Sequence, residues 1–332
     1  MPCRGGIELR RNRSARFRPL RYPTGMTDSK QTSLTSRAWA ELFLLGFVWG
    51  GVFLAARLAL NEVGVLTAVA HRTFWAALIL WCVVLLKRQK LPTGLRVWGA
   101  FLGMGLLNNI IPFTLLNWSQ LYIESGLASI FNATTAIFGV LVAAFFFVDE
   151  KLTKRKVIGV SVGFLGVATT IGLENITRLD LTSLAQLAAL GATLSYAFAG
   201  VWARKRLIGM PPEMAAAGML TMSSVVALPL AWMVDGPFRM DLMPVTWIAL
   251  IYYASIATAG AYLLYYRVLA MAGSGNLMLV TLLIPPFAIL LGALVLDETL
   301  PANAFAGFAL LSLGLVILDG RLVTRLLKPS NQ

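Results

Sequence analysis

Long apolar runs separated by short polar gaps are the feature that most constrains how this chain can fold. With 58% hydrophobic residues, 13% charged residues and a mean hydropathy of +0.75, the chain has more apolar surface than a water-soluble globule could bury. A membrane span needs about 20 mostly apolar residues, so the sequence predicts an all-α integral membrane protein of about ten transmembrane helices. The runs lie at about 38–60, 65–86, 97–119, 125–148, 156–173, 183–203, 213–234, 244–266, 275–296 and 302–322.

Basic residues fall almost entirely on one side of these predicted spans. The gaps that share a side with the N-terminus hold 24 Lys and Arg residues, whereas the opposite side holds only Arg178 and Arg239. Because Lys and Arg accumulate in cytoplasmic loops, the bias predicts an even number of spans with both termini in the cytoplasm, and we expect a bacterial inner (plasma) membrane. The net charge of +13 therefore reports topology and does not predict nucleic-acid binding.

A basic tail, residues 1–37, precedes the first span. It holds nine of the 28 basic residues, and its first 25 positions are rich in arginine. Met26 begins a polar stretch of ordinary length, so translation starting at Met26 is one interpretation. A tail that binds anionic lipid and an organelle transit peptide are the alternatives. Residues 323–332 are predicted to form a second, short cytoplasmic tail.

An internal repeat divides the chain into two halves. The acidic motif at 149–153, Asp-Glu-Lys-Leu-Thr, recurs 148 residues later at 297–301 as Asp-Glu-Thr-Leu-Pro. Other positions correspond at the same offset or at one residue less. These pairs are Gly159 with Gly307, Gly166 with Gly314, Trp118 with Tyr266, and Trp49 with Tyr196.

Each repeat unit, residues 38–173 and residues 183–322, holds five predicted spans. Because five is odd, the second unit must enter the membrane from the opposite side. The charges agree, since Lys154, Arg155 and Lys156 follow the first acidic motif whereas uncharged residues follow the second. The sequence therefore predicts two inverted five-helix repeats, an arrangement that many secondary transporters use for alternating access around a site near the midplane.

The second copy of the motif resembles a family signature. The run from Ile284-Pro285 through Asp297-Glu298-Thr299-Leu300 to Gly307 and Gly314 is similar to that of the EamA-type drug/metabolite transporters, a ten-span superfamily built from two such units. The first copy departs from it, with Ile137 at the position of Pro285. The resemblance implies a carrier, often an exporter, of small metabolites such as amino acids. A multidrug or organic-cation efflux carrier is the alternative.

Polar and aromatic residues inside the predicted spans are the candidates for a substrate pathway, because polar side chains are costly in lipid. They form stripes at helical spacing on spans three, four and eight, and one aromatic pair is related by the repeat. The sequence leaves open whether such residues line a cavity or only hold helices together. The candidates are Trp49, Asn109, Asn117, Asn132, Tyr196, Tyr262 and Tyr266.

Two titratable residues lie within span two and are candidates for a charge or proton role. His71 is the only histidine in the chain and would titrate near neutrality. Arg72 is predicted either to pair with Glu62 or Glu124 near the outer side or to bind a substrate carboxylate. The sequence leaves both alternatives open.

The two motif glutamates, Glu150 and Glu298, stand at helix boundaries. A carboxylate placed there can accept hydrogen bonds from the free backbone donors at a helix start. We therefore interpret Glu150 and Glu298 as structural caps.

Residues that could carry enzymatic chemistry are few. With one histidine, two distant cysteines, no metal-ligand cluster and no phosphate-binding loop, we expect no catalytic residues, no metal and no cofactor. An enzyme and a channel are the less favoured alternatives to a carrier. The expected partners are a small-molecule solute and the lipid bilayer, with no nucleic acid. The oligomeric state is left open between a monomer and a homodimer.

The loop charges and the repeat together predict where reporter fusions will lie. Fusions at Asn175 and Asp297 should report the outer side, and fusions at Gln89 and Gly209 the cytoplasm, because clusters of three or more basic residues lie beside only the latter pair. Alkaline phosphatase and fluorescent-protein fusions at each position provide the measurement. A cytoplasmic fusion at Asp297 would contradict the inverted repeat.

Overall fold

The structure is a computed structural model that describes residues 35–148, 150–172, 181–277 and 280–319. Every regular element within these ranges is a helix, which confirms the predicted all-α class. The predicted N-terminal tail up to residue 34, including Met26, lies outside the described residues, as does the C-terminal tail 323–332.

Ten helices joined by short connections follow one another in the described ranges. They are α1 (Ser36–Ala59), α2 (Val65–Leu86), α3 (Leu95–Ser119), α4 (Ser125–Phe146), α5 (Lys154–Ile171), α6 (Leu181–Arg206), α7 (Pro212–Val234), α8 (Pro244–Ile251, Tyr252–Gly260 and Ala261–Leu277), α9 (Val280–Leu296) and α10 (Ala302–Asp319). Their positions agree with the predicted apolar runs to within a few residues at most boundaries. The largest difference is at the end of α8, which continues well past the predicted end of span eight.

Seven of these described helices, α1 to α4 and α6 to α8, are long and apolar enough to cross a membrane. Two further helices, α9 and α10, are apolar but shorter. Helix α5 begins with three basic residues, Lys154, Arg155 and Lys156, and belongs to neither group. These properties are those of an integral membrane protein, while the count of ten spans stays a prediction.

Two of the described helices contain a π-helical segment. In α3 this segment is Leu106–Ile110, and in α8 it is Tyr252–Gly260. Adding the repeat offset of 148 to residues 106 and 110 gives 254 and 258, so the two segments occupy corresponding positions. Segments of this kind occur frequently at functional sites, because they change which side chains face one side of a helix.

The helices pack in an order that follows the sequence repeat. Helix α1 packs on α9 as α6 packs on α4, while α2 packs on α7 and α5 on α10. Replacing each helix by the corresponding helix of the other half, five positions away, turns the α1–α9 contact into the α6–α4 contact. The same replacement leaves the α2–α7 and α5–α10 contacts unchanged. The largest buried apolar cluster joins the two halves through Phe53, Leu116, Ile130, Ala189 and Ile284, which belong to α1, α3, α4, α6 and α9.

Glycine residues bring α5 and α10 into backbone contact. A Cβ atom added to Gly166 would lie 2.7 Å from the carbonyl oxygen of Gly307, and one added to Gly159 would lie 2.9 Å from that of Gly314. Small residues allow such close approach of membrane helices. The repeat aligns Gly159 with Gly307 and Gly166 with Gly314. In the structure the contacts are exchanged, so that Gly159 lies against Gly314 and Gly166 against Gly307.

Substituting Gly166 tests this contact. The new Cβ atom of Gly166→Ala would lie 2.5 Å from the backbone nitrogen of Leu311, and overpacking of this kind costs about 1–3 kcal/mol. We expect a lower midpoint of thermal unfolding in detergent. The matched control is Gly99→Ala in α3, whose Cβ atom would have nothing within 4 Å. Equal midpoints for the two variants would contradict the account.

Candidate functional site

A cavity of about 630 Å³ lies between the two halves of the sequence. Helices α1 to α4 line one part of it and helices α6 to α9 the other. Its volume lies within the range of about 300–1,000 Å³ that is usual for small-molecule sites, and its mainly apolar lining with a few polar groups is also typical of them.

The two ends of the cavity differ in exposure. At one end the lining includes Pro212, which is exposed, together with the half-buried Leu207 and Met210 from the α6–α7 connection. At the opposite end, where α3 finishes, Asn117 and Gln120 are each only 1% exposed. The cavity therefore opens at the α6–α7 end and is closed at the α3 end.

Six of the seven predicted pathway residues line the cavity, and Arg72 lines it as well. The indole ring of Trp49 lies 5.8 Å from the ring of Tyr265, another lining residue, measured between ring centroids. The six are Trp49, Asn117, Asn132, Tyr196, Tyr262 and Tyr266.

Asn109 is the seventh candidate, and the structure places it outside the cavity wall. Its side chain is fully buried between α3 and α7, where the amide nitrogen Nδ2 donates to Ser223 Oγ at 2.9 Å. Its neighbour Asn108 lines the cavity instead and donates to the hydroxyl oxygen of Tyr262 at 3.0 Å. The sequence pattern missed Asn108 because ordinary helical spacing does not hold through the π-helical segment of α3.

Asn117 and Gln120 each carry a buried polar atom without a partner among the described residues. Asn117 Oδ1 accepts a hydrogen bond from the hydroxyl of Tyr253 at 2.8 Å, but Asn117 Nδ2 has no acceptor. Gln120 Oε1 has no donor, although the Gln120 backbone oxygen accepts from Arg57. Buried polar groups normally have hydrogen-bond partners, so these two atoms beside the cavity are suited to a ligand or to water.

Arg72 is buried in the cavity wall, with 8% of its surface exposed. Its guanidinium carbon lies 3.6 Å from the ring centroid of Phe113 and 4.3 Å from that of Tyr253. The Nε atom donates to Thr258 Oγ1 at 2.8 Å, and Thr258 in turn donates to the backbone oxygen of Tyr253. Two aromatic rings and one hydroxyl therefore fix the plane of the guanidinium group.

The predicted ion pair between Arg72 and either Glu62 or Glu124 does not form. The ion pairs of the described residues involve other groups. Glu62 instead accepts hydrogen bonds at the start of α8, from the backbone nitrogen of Met243 at 2.9 Å and from the hydroxyl of Thr246. Sequence reasoning could not foresee this, because the start of α8 is nearly two hundred residues away in the chain.

Three carboxylates near the closed end of the cavity each cap the start of a helix in the opposite half; we call them the cross-half caps. A carboxylate is stabilised there by free backbone N–H groups and by the positive end of the helix dipole. Glycine makes room for one of them, since a Cβ atom at Gly64 would lie 2.2 Å from Asp235 Cγ. The caps are Glu62 on Met243 N of α8 (2.9 Å), Asp235 on Thr67 N of α2 (2.7 Å) and Glu298 on Ser125 N of α4 (3.0 Å).

The two repeat-related glutamates have different partners. Glu298 caps the start of α4, whereas the sequence predicted that it would cap the helix that follows it. It also accepts a hydrogen bond from Ser125 Oγ at 2.9 Å. Glu150 does not act as a cap; it pairs with Lys156 Nζ at 3.2 Å and Arg204 Nη1 at 3.7 Å. The same motif therefore closes one end of the molecule and forms a partly exposed ion cluster at the other.

His71 lies outside the cavity lining, among aromatic side chains. Its Nδ1 atom accepts a hydrogen bond from Trp75 Nε1 at 3.2 Å, and its ring stands edge-on to those of Phe238 and Trp247. No group of three or more His, Cys, Asp or Glu side chains in the described ranges is placed to hold a metal ion. The polar chemistry of the cavity thus rests on amides, hydroxyls and Arg72.

Long apolar helices around a cavity that is open at one end are typical of membrane transport proteins. The family model of the EamA-like transporter family matches residues 38–172 and 183–318. The chain belongs to the EamA-like transporter family, and the resemblance found in the second acidic motif is confirmed.

Curated relatives match most of the chain. An uncharacterized transporter, YoaV, from Bacillus subtilis is 22% identical over 269 residues, covering 81% of this chain and 91% of its own length. A protein of Escherichia coli named "Probable amino-acid metabolite efflux pump" is 24% identical over 284 residues, covering 82% of this chain and 92% of its own. A crystal structure of a protein with 18% identity superposes with a TM-score of 0.63 over 87% of this chain and 99% of that one, which shows a common fold.

The contrasting positions of Asn109 and Asn132 generate a prediction about stability. Asn109→Ala removes the hydrogen bond to Ser223 between α3 and α7, so we expect it to lower the free energy of unfolding by about 0.5–1.5 kcal/mol. Asn132→Ala, which removes a cavity-lining amide, should leave stability almost unchanged and serves as the control. Thermal midpoints in detergent provide the measurement. A larger loss of stability for Asn132→Ala than for Asn109→Ala would show that Asn132, and not Asn109, holds the helices together.

Proposed function

We propose that this protein is a secondary carrier that moves a small organic solute across the membrane by alternating access. The observation that carries the proposal is the cavity of about 630 Å³ whose wall is shared by α1–α4 and α6–α9. A carrier whose halves move against each other needs substrate contacts on both of them. A membrane enzyme would need convergent acids, bases or nucleophiles, and the amides, hydroxyls and single arginine of this wall do not form such a group.

The carrier is proposed to be built from two inverted repeats of five spans. The repeated acidic motif and its flanking charges support this architecture. The pairing of α1 with α9 and of α6 with α4 supports it as well, because a two-fold relation between the halves exchanges these contacts. The crosswise contacts of Gly159 with Gly314 and of Gly166 with Gly307 have the same symmetry.

The orientation follows from the loop charges. With both termini in the cytoplasm, the α6–α7 connection beside Arg204, Lys205 and Arg206 also lies there. The open end of the cavity then faces the cytoplasm, and the cross-half caps close the outer end. A cytoplasmic opening lets a solute load from inside a bacterial cell, as export requires. The name of the Escherichia coli relative, an amino-acid metabolite efflux pump, supports the same direction and an amino-acid-like solute.

The substrate is proposed to contact the six predicted residues that line the cavity. Trp49 and Tyr196 correspond in the repeat and stand on α1 and α6, so each half presents an aromatic side chain to the solute. The amides of Asn117 and Asn132 and the hydroxyls of Tyr262 and Tyr266 supply hydrogen-bonding groups. Asn108, which the sequence pattern missed, joins them through its bond to Tyr262.

Alternating access requires the cross-half caps to release when the outer end opens. The Glu298 cap is closely fitted, since a Cβ atom at Gly292 would lie 2.4 Å from Glu298 Oε2. Release would expose the backbone N–H groups at the starts of α2, α4 and α8 to water, which can hydrogen-bond to them. The closed and open outer ends are then close enough in free energy for a bound solute to shift the balance.

Counterflow in vesicles tests the proposal. Purified protein in liposomes loaded with an excess of unlabelled solute should accumulate the labelled solute saturably, in a screen of amino acids, nucleosides and organic cations. Asn132→Ala should raise the half-saturating concentration several-fold to about tenfold, because one hydrogen bond to the solute is worth about 0.5–1.5 kcal/mol. Protein-free liposomes are the control. Unsaturable ion currents would indicate a channel, and product formation without flux an enzyme.

A further inference from the structure

We infer that the solute carries a carboxylate group and that Arg72 binds it. This inference rests on the proposed carrier function and narrows its substrate class. It separates organic acids and amino acids, which present a carboxylate, from the organic cations that the family resemblance left as an alternative.

Arg72 carries a buried positive charge. A guanidinium group stays protonated in proteins, and Arg72 lies seven residues into α2, which is about 10 Å along the helix axis. Buried charges are normally paired. No Asp or Glu in the described part of the chain forms an ion pair with Arg72. Within that part, the positive charge is left to be neutralised by the contents of the cavity.

The guanidinium group of Arg72 is held in one orientation. Phe113 and Tyr253 hold its plane, and Thr258 accepts from Nε. The hydrogen bond to Thr258 uses Nε, so the two Nη atoms are left for a ligand in the cavity that Arg72 lines. Two parallel N–H groups match the two oxygens of a carboxylate, which makes Arg a better partner for this group than Lys.

Asn117 presents an unpartnered amide nitrogen beside the same cavity. Asn117 is 1% exposed and lines the same cavity, and its Nδ2 atom has no acceptor among the described residues. Tyr253 connects the two groups, because its ring lies against Arg72 and its hydroxyl donates to Asn117 Oδ1. A carboxylate oxygen bound at Arg72 would therefore have a second donor on the same side of the cavity.

The remaining wall of the cavity favours one negative charge and an apolar body. The described lining residues include no Asp or Glu and only one Arg or Lys, Arg72. At the offset of 147 that relates Trp49 to Tyr196, the counterpart of Arg72 is Met219, a lining residue without charge. The cavity thus has a cationic group on one half only. An organic cation would meet the charge of Arg72 with no carboxylate to offset it.

A matched series of ligands tests the inference. The probes are 3-phenylpropionate, 3-phenylpropionamide and 3-phenylpropylamine, which share a phenyl body and carry a negative, zero and positive charge. We expect calorimetric titration of the purified protein to show the acid binding about tenfold or more tighter than the amide, since hydrogen bonds to charged groups are the stronger ones. The amine should bind most weakly.

Variants assign the preference to Arg72. In Arg72→Gln the ratio of acid to amide affinity should fall to about one, while the amide affinity stays within about twofold of the wild-type value. Arg72→Lys should keep an intermediate ratio, because it keeps the charge but loses the paired N–H groups. His71→Gln, next to Arg72 on α2 but outside the cavity lining, is the control and should keep the wild-type ratio. Thermal midpoints establish that each variant is folded; if Arg72→Gln does not fold, the wild-type and Arg72→Lys ratios decide.

Three results would overturn the inference: no binding of the acid, tighter binding of the amine than of the acid, or an unchanged ratio in folded Arg72 variants. Saturable counterflow of the amine or the amide, with none of the acid, would refute the inference that the solute carries a carboxylate. It would still support the carrier function. Absence of saturable counterflow for every solute screened would refute the carrier function itself, so the two failures are distinguishable.

Discussion

Carboxylates at one end of the cavity hold the two halves of this protein together. They accept hydrogen bonds from backbone N–H groups at the starts of helices in the opposite half. The first turn of a helix leaves several N–H groups without partners, and lipid supplies none. Glu62, Asp235 and Glu298 satisfy some of these donors from the opposite half of the chain. Each interaction is at once a helix cap and a bridge between the halves, and closure of this end leaves the other end as the entrance.

The proposed inverted repeat explains why one sequence motif can serve two ends of the molecule in different ways. Glu298 is inserted against the start of α4, whereas Glu150 lies in an ion cluster with Lys156 and Arg204. Between the two ends, the crossing of α5 and α10 brings glycine backbones together at Gly166 and Gly307. In the proposed cycle the contacts near the cross-half caps change, while this tightly packed crossing of α5 and α10 stays intact.

The sequence predicted much of this architecture, and its failures have local physical causes. Apolar runs located the helices because the lipid environment imposes their length and composition. The placement of Asn109 could not be predicted, since the π-helical segment of α3 turns Asn108 toward the cavity instead. The hydrogen bond from Arg72 to Thr258 and the capping of α4 by Glu298 join residues more than a hundred positions apart, for which helical spacing carries no signal.

The accessibility of one cavity residue tests most directly whether the cross-half caps close the outer end. Thr135, a half-buried lining residue, is replaced by Cys after Cys3 and Cys82 are changed to Ser, and a membrane-impermeant thiol reagent is applied from either side. The account predicts labelling from the cytoplasmic side, with labelling from the outer side appearing when Glu298→Gln weakens a cap. Equal labelling from both sides before that substitution, or no change after it, would contradict the account.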